Sequence, residues 1–415
     1  MNKKFLFKSF AKIISFLLIV ATMNVFILSS FVMADFSKTE ATNIYNATKI
    51  DQITSKSYAI GNADANQVMQ VGGDTANKYH VGNITKLMTL YLAYEAIEKG
   101  TLTMETQLTT SVEAQLIADG RSRVFLDGYR KEKITVKQAI EAICIASAND
   151  AAYVLAEGIG GTEENFVSLM NKKATELGMK NTSYKDSTGI NTEQYTTAED
   201  LAILACDFIN KYPAILDFTK LTYGKFQHNS TGLGETEMVS GNNLTRGKFY
   251  TQSDGLLVGY SQEDGYSMVA TVADGGTRSV AVVVGAADEN YRAAEIKKLL
   301  EYGISDFEYR KIESAGTFVR KISIKDGENK KISTETVEDL SVLLNVKDFE
   351  KVQKKVNVNK KVTAPAKKGE VVGEIVYYLE DEEIGKVDIA LSEDMEKAGW
   401  FTLLIRKILA FFGLE

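Results

Sequence analysis

Histidine is nearly absent from this chain: among 415 residues there are only His80 and His228. Two are too few for a histidine-rich metal site, and nothing around either suggests a Ser-His-Asp triad. His80 stands three residues before Asn83 and reads as a loop histidine. Cysteine is as sparse. Cys144 sits in the apolar segment Ala142-Ile143-Cys144-Ile145 and reads as a small buried thiol, although in an exported protein it could pair with Cys206. There is no long basic run and the formal net charge is -7, which argues against nucleic acid as a partner. No residue pattern implies a metal or another cofactor.

What the chain does contain is enough apolar material for a large core, 45% hydrophobic residues, and a length that predicts two or three domains. The N-terminus reads as an address. Lys3, Lys4, Lys8 and Lys12 precede a mostly apolar run from Ile13 to Met33, and Val32-Met33-Ala34 offers a cleavage point before Asp35. That is the layout of a secretory signal peptide over residues 1–34. The run approaches membrane-spanning length, so an uncleaved anchor is the alternative. Either way the bulk of the chain is expected on the outer face of the cytoplasmic membrane or in the cell wall.

The C-terminus carries a second membrane signal at residues 396–415. At about 100° per residue, Trp400, Leu404, Ile408 and Phe411 share a helical face with Phe401, Ile405 and Phe412, while Thr402, Arg406 and Gly413 gather opposite. The segment is too short to span a bilayer, and the pattern predicts an amphipathic helix lying in the headgroup plane, with Arg406 and Lys407 near lipid phosphates. The alternative is a helix packed on its own protein.

Between these ends the texture changes once. Residues 36–310 alternate helical segments (Thr85 to Lys99, Val136 to Gly158, Glu163 to Leu177) with strand-like runs (Tyr266 to Val272, Arg278 to Val284). Residues 312–393 instead hold short strand-like runs, Phe318 to Ile324, Leu340 to Leu344, Val352 to Val358 and Glu374 to Tyr378, broken by Lys/Asp/Gly turns. The first region predicts a mixed α and β domain, the second a small β-sandwich.

Three short motifs carry the chemistry. Val81-Gly82-Asn83-Ile84-Thr85-Lys86 opens a helical segment, Ile145-Ala146-Ser147-Ala148-Asn149-Asp150 holds a Ser-x-Asn triplet, and Ser253 to Ser261 contains Leu257-Val258-Gly259-Tyr260. Other stretches accompany them: Gly120 to Leu126, Glu176 to Thr182, Asp186 to Ile190, Tyr195 to Ala202, Asn242-Asn243-Leu244 and Lys297 to Gly303. In this order, over roughly residues 45 to 308, the chain resembles the serine-type D-alanyl-D-alanine carboxypeptidases, the low-molecular-weight penicillin-binding proteins. The collinearity carries the resemblance. A lone Ser-x-x-Lys does not, as Ser9-Phe10-Ala11-Lys12 fits that pattern inside the targeting segment.

The resemblance implies an α/β fold: a β-lactamase/D,D-peptidase-like domain, with an antiparallel sheet flanked by helices and a helical subdomain, then a small C-terminal β-sandwich acting as a stalk. It implies a peptidoglycan stem peptide as ligand and a C-terminal membrane anchor. It also implies a signature of S-x-x-K, S-D-N and K-T-G. Here the serine of the first reads Asn83, the Lys-Thr of the third reads Leu257-Val258, and no Lys-Thr-Gly or Lys-Ser-Gly occurs elsewhere.

In active relatives that serine attacks the carbonyl of the penultimate D-alanine, with the motif lysine one turn away. Asn83 is no nucleophile, because its amide has no proton that Lys86 could remove to leave a reactive anion. At the third motif the family's lysine supplies positive potential for the substrate carboxylate and its threonine a hydroxyl; Leu257 and Val258 supply neither, while Gly259 still permits close backbone approach. Lys86, Ser147 and Asn149 remain, with the backbone N–H groups of Asn83 and Tyr260 at the family's oxyanion-hole positions. They read either as a cleft that still holds a peptide, or as relics in which Asn83 accepts a hydrogen bond to keep a buried Lys86 satisfied. Thr85 points away from the face shared by Asn83 and Lys86. Asp150 reads as a helix or packing residue.

Three functions fit these features. One is an exported, membrane-tethered pseudoenzyme that binds, scaffolds or regulates in the cell wall. The others are a hydrolase still trimming stem peptides, and a structural surface module with a closed cleft. The joint loss of the serine and of Lys-Thr favours the first.

Overall fold

The computed structural model describes residue 50 and residues 53–413, apart from 119, 249, 359 and 360. The expected signal segment lies outside the described residues. The chain enters a sheet with β1 (Ser57–Asn62) and β2 (Gln67–Gly73). A helical region follows, with α1 (Lys86–Glu98), α2 (Val112–Ile117), α3 (Val136–Ala146), α4 (Asn149–Gly160) and α5 (Glu163–Glu176) around a hairpin of β3 (Gln107–Thr109) and β4 (Lys133–Thr135). Helices α6 (Ala198–Lys211) and α7 (Leu216–Thr219) lead to a hairpin of β5 (Tyr223–Gln227) and β6 (Glu235–Val239). The chain then returns to the first sheet with β7 (Gly255–Ser261), β8 (Gly265–Asp274) and β9 (Thr277–Ala286), and closes the domain with α8 (Glu289–Ser305).

The sheet is antiparallel throughout, in the order β2-β1-β9-β8-β7, so β7 is an edge. Val280 to Val284 on β9 are all buried, the apolar run of a central strand covered on both faces. Neighbouring strand residues point to opposite faces. A Cβ on Gly61 would meet Cys206 Sγ of α6 at 2.5 Å, whereas one on Gly303 of α8 would lie 3.1 Å from the side chain of Ile60. Helices α6 and α8 therefore cover opposite faces of the sheet. Cys144 and Cys206 are both free and buried, in keeping with the buried-thiol reading.

One expected element is corrected. The apolar periodicity from Val136 to Gly158 predicts a single helix, but the chain breaks into α3 and α4. Ser147 takes a left-handed conformation, φ 51°, and the Asn149 N–H leaves the helical ladder to donate to Ser122 O at 2.8 Å. A non-glycine residue held at positive φ costs about 1–3 kcal/mol and needs support from its surroundings. Here the turn sets the second motif at the end of α3.

The C-terminal domain contains β10 (Phe307–Glu313), β11 (Phe318–Lys325), β12 (Lys331–Thr336), β13 (Leu340–Asn345), β14 (Val352–Val358), β15 (Val362–Thr363), β16 (Val371–Leu379) and β17 (Glu382–Leu391). Strands β10 and β13 pair as one sheet, and the other has the order β14-β16-β17-β12-β11-β15. Ile324, Ile332, Ile375, Ile389 and Leu391 are among its core residues. The expected division at residues 310–312 falls within β10, which pairs with β13 across the boundary.

Helix α9 (Trp400–Phe411) follows. No helix among the described residues is long and apolar enough to cross a membrane. Arg406, flanked by half-buried Leu403 and Leu409, forms the side of α9 turned toward the β-domain. Arg406 donates to the carbonyls of Gly327 and Glu328 at 2.7 and 2.9 Å, so it is not placed for lipid phosphates as expected. The apolar side faces outward, with Trp400 77% and Phe411 85% exposed.

Candidate active site

The floor of the site is a 3-10 turn, Gly82–Thr85, running directly into α1. Three backbones meet there without intervening side chains. A Cβ on Gly82 (φ +55°) would lie 2.3 Å from Tyr260 O, one on Gly259 2.0 Å from Val81 O, and one on Gly189 (φ +91°) 2.0 Å from Gly82 O. Glycine at these positions is what lets edge strand β7 and the loop at residue 189 close on the turn. Tyr260 N is 3.3 Å from that same Gly82 Cβ point, which puts it beside the residue whose neighbour is Asn83.

Lys86 is fully buried. Its amine donates to Asn83 Oδ1 at 2.7 Å and to Thr188 O at 2.6 Å. Burial lowers it from its ordinary 10.5 to about 7, against the opposing pull of Asp186 and Asp150. A neutral amine has two N–H donors, and both are used, with the Asn83 amide oxygen as one of the two acceptors. Between about pH 7 and 10.5 the unfolded chain carries a proton on Lys86 that the folded chain does not. Stability therefore rises with pH across that window, by about 1.4 kcal/mol per pH unit for one proton. Urea unfolding between pH 7 and 9.5 should show this slope reduced in Lys86→Met; an unchanged slope would contradict the buried neutral amine.

The second wall is the α3–α4 turn. Asn149 is 2% exposed, and its Oδ1 has no hydrogen-bond partner among the described residues. Ser147 is half-buried beside it. Asp150 is buried, and its carboxylate accepts from Val124 N at 3.2 and 3.1 Å, from Leu126 N at 3.1 Å and from Ala151 N at 2.9 Å. That matches the packing role expected for it. Its carboxyl is pushed up by burial, with those N–H groups pulling the other way.

The third wall is β7. Leu256 and Leu257 are buried and Val258 is half-buried. Gly259 faces the turn, its Cβ position being 3.1 Å from Ile84 Cγ1, and by strand alternation Leu257 leaves the backbone on that same side. Val258 points the other way, 3.5 Å from the Cβ position of Gly241. Tyr260 is 54% exposed and its ring centre is 4.8 Å from that of Tyr266.

A fourth group was not picked out as functional in the sequence. The Asp186 carboxylate accepts from Thr188 N at 2.8 Å, Thr188 Oγ1 at 3.2 Å and Gln194 Nε2 at 3.3 Å, and also from Gly189 N and Asn191 N. This fixes the carbonyl that receives Lys86. Asp-Ser-Thr-Gly is a readable side-chain-capped turn, which was the available signal. Next to it Glu163 accepts from Ser187 N at 2.7 Å and Ser187 Oγ at 3.0 Å, and burial pushes its carboxyl up to about 7.

The remaining candidates make contacts of their own. Thr85 lines a small cavity with Tyr79, Tyr184 and Tyr195. His80 Nε2 is 3.2 Å from Gly189 O. His228 is buried between Glu132 (Nδ1 to Oε1, 2.7 Å) and Thr236 (Nε2 to Oγ1, 3.0 Å), and the Thr236 hydroxyl donates onward to Val124 O at 3.2 Å. That hydroxyl's proton is committed to a carbonyl, so the trio ties a hairpin to the loop at residue 124 and forms no nucleophile. Among the described residues no group of three or more His, Cys, Asp or Glu side chains could hold a metal ion.

Comparisons agree with this architecture. The family model described as D-alanyl-D-alanine carboxypeptidase matches residues 44–288, and that described as penicillin-binding protein 5, C-terminal domain, matches residues 307–397. The D-alanyl-D-alanine carboxypeptidase DacF of Bacillus subtilis is 37% identical over 326 residues, 78% of this chain and 82% of that protein. DacA of Haemophilus influenzae is 27% identical over 392 residues, 92% of this chain and 95% of that protein. Among solved structures, penicillin-binding protein 5 from Haemophilus influenzae superposes with a TM-score of 0.70 at 25% identity, covering 85% of this chain and 100% of that one. With an antiparallel sheet between α6 and α8, a helical region carrying the Lys86 and Ser147 motifs, and a β-domain behind them, the chain belongs to the D-alanyl-D-alanine carboxypeptidase family, the low-molecular-weight penicillin-binding proteins.

Proposed function

We propose that this chain is an exported, membrane-associated member of the family that holds peptidoglycan stem peptides without acylating on them, and serves the cell wall as a binding or regulatory protein. The observation that carries this is the Asn83–Lys86 pair. Asn83 stands at the nucleophile's position, and its amide oxygen receives the amine that would activate a serine. In another serine hydrolase, loss of the nucleophile lowers turnover by about 10⁶, roughly 8 kcal/mol of barrier. Leu257 and Val258 add a second, separate loss in the same cleft. Support for retained binding comes from the unpaired, buried Asn149 amide oxygen and from the three glycines that keep β7 close to the turn. Incubating the full chain with diacetyl-L-lysyl-D-alanyl-D-alanine tests the reading: peptide should be retained with no D-alanine released above the blank. Steady release of D-alanine would overturn it.

Membrane association rests on α9. Its outward face carries Trp400, Phe401, Leu404, Ile405, Ile408, Phe411 and Phe412, all exposed. Trp and Phe on one face of a terminal amphipathic helix suit the headgroup boundary. Arg406 then orients the helix against the β-domain and leaves the lipid contact to the apolar face. Removal of residues 400–415 should abolish flotation with anionic phospholipid vesicles, and Arg406→Ala should weaken it far less; flotation unchanged by the truncation would contradict the anchor.

A further inference from the structure

Leu257 changes the charge that this cleft complements. It leaves β7 on the side of the Asn83–Lys86 turn and is 3% exposed, so an apolar side chain fills the wall there. Val258, the next residue, contributes only methyl groups. Lys86 does not replace the missing cation, because its amine is fully buried and both donors of its neutral form go to Asn83 and Thr188. Asn149 meanwhile keeps an unpaired oxygen at 2% exposure, an acceptor that lacks an N–H.

A carboxylate has acceptors only, whereas an amide has both an N–H and a carbonyl. Placed along this edge strand, with Leu257 on one side and Val258 on the other, a carboxylate would lose its water without gaining a charged or hydroxyl partner, which is the costly case for a buried polar group. An amide loses less water there.

We propose that Leu257 and Val258 act as specificity determinants that turn this cleft toward uncharged, amide-continued stem peptides, of the kind found where a stem is cross-linked or carboxamidated, and away from stems ending in a free carboxylate. The inference rests on the cleft being a peptide site.

The test is calorimetric titration of the full chain with diacetyl-L-lysyl-D-alanyl-D-alanine as the free acid and as its C-terminal carboxamide. The carboxamide should bind about tenfold more tightly, and in Leu257→Lys/Val258→Thr the order should invert. The comparison in the unmodified protein stands alone if that variant fails to fold. Equal affinities, or tighter binding of the acid, would overturn the inference while leaving the binding reading in place. Tighter acid binding would assign the carboxylate to another cation, such as Arg292, whose buried guanidinium lies 3.4 Å from Asn243 Oδ1 and against the ring of Tyr266. Binding of neither peptide would overturn the peptide-site reading and this inference with it.

Discussion

Asn83→Ser, combined with Leu257→Lys and Val258→Thr, should speed acylation by penicillin by a factor on the order of 10⁶. The case rests on how much of the site is already in position. Lys86 is at the foot of α1 with its amine 2.7 Å from the residue 83 side chain, and its lowered pKa of about 7 is what a base for a serine hydroxyl requires. Tyr260 N and the turn at Asn83 already converge on Gly82. The serine supplies the nucleophile, while the Lys-Thr pair restores positive potential and a hydroxyl for the drug's carboxylate. Labelling by a fluorescent penicillin, read on a denaturing gel, checks it. The single change Asn83→Ser should label weakly, because it restores chemistry without the charge. Absence of labelling in the triple variant would mean that the cleft has diverged beyond these three positions.

Asp150→Ala should destabilise the fold by about 3 kcal/mol or more, since three backbone donors lose a buried acceptor at about 1–3 kcal/mol each. For a domain of this size that corresponds to a Tm lower by roughly 6–12 °C, measurable by calorimetry. The loss has a direction. Asp150 holds Val124 and Leu126 on either side of Phe125, which has φ 65° and is exposed, so the loop facing the second motif should loosen first. Hydrogen exchange should rise at residues 122–128 before it rises in the sheet. A neutral effect of Asp150→Ala would contradict this role.

How far the sequence could be read follows from where its signals lie. Apolar runs such as Val280 to Val284 were legible, because burial leaves a local pattern; the range Val352–Val358 coincides with β14. Strands β12 and β17 were not, because Lys331-Ile332-Ser333-Thr334 and Glu382-Glu383-Ile384-Gly385-Lys386 interleave charges with few apolar side chains and draw their order from paired neighbours. The break at Ser147 was hidden by apolar residues that continue at helical spacing through a turn fixed from outside by Ser122. Arg406 looked like a lipid-facing cation because nothing local indicates that Gly327 and Glu328 present their carbonyls to it. In the site, Asn83, Lys86, Ser147, Asn149 and the β7 residues could be named from motif order. The Glu163 support could not, since it acts on Ser187 of a distant loop, whereas Asp186 left only the local signal of a capped turn whose carbonyl partner, Lys86, is far away in sequence.

The measurement closest to the central claim is the intact mass of the unmodified full chain after prolonged exposure to excess penicillin. The Asn83–Lys86 pair predicts a spectrum unchanged from the untreated protein, with no species heavier by one drug molecule. A stoichiometric adduct, mapped by proteolysis to the peptide that contains Asn83 and Lys86, would show that acyl chemistry survives in this cleft and would contradict the account.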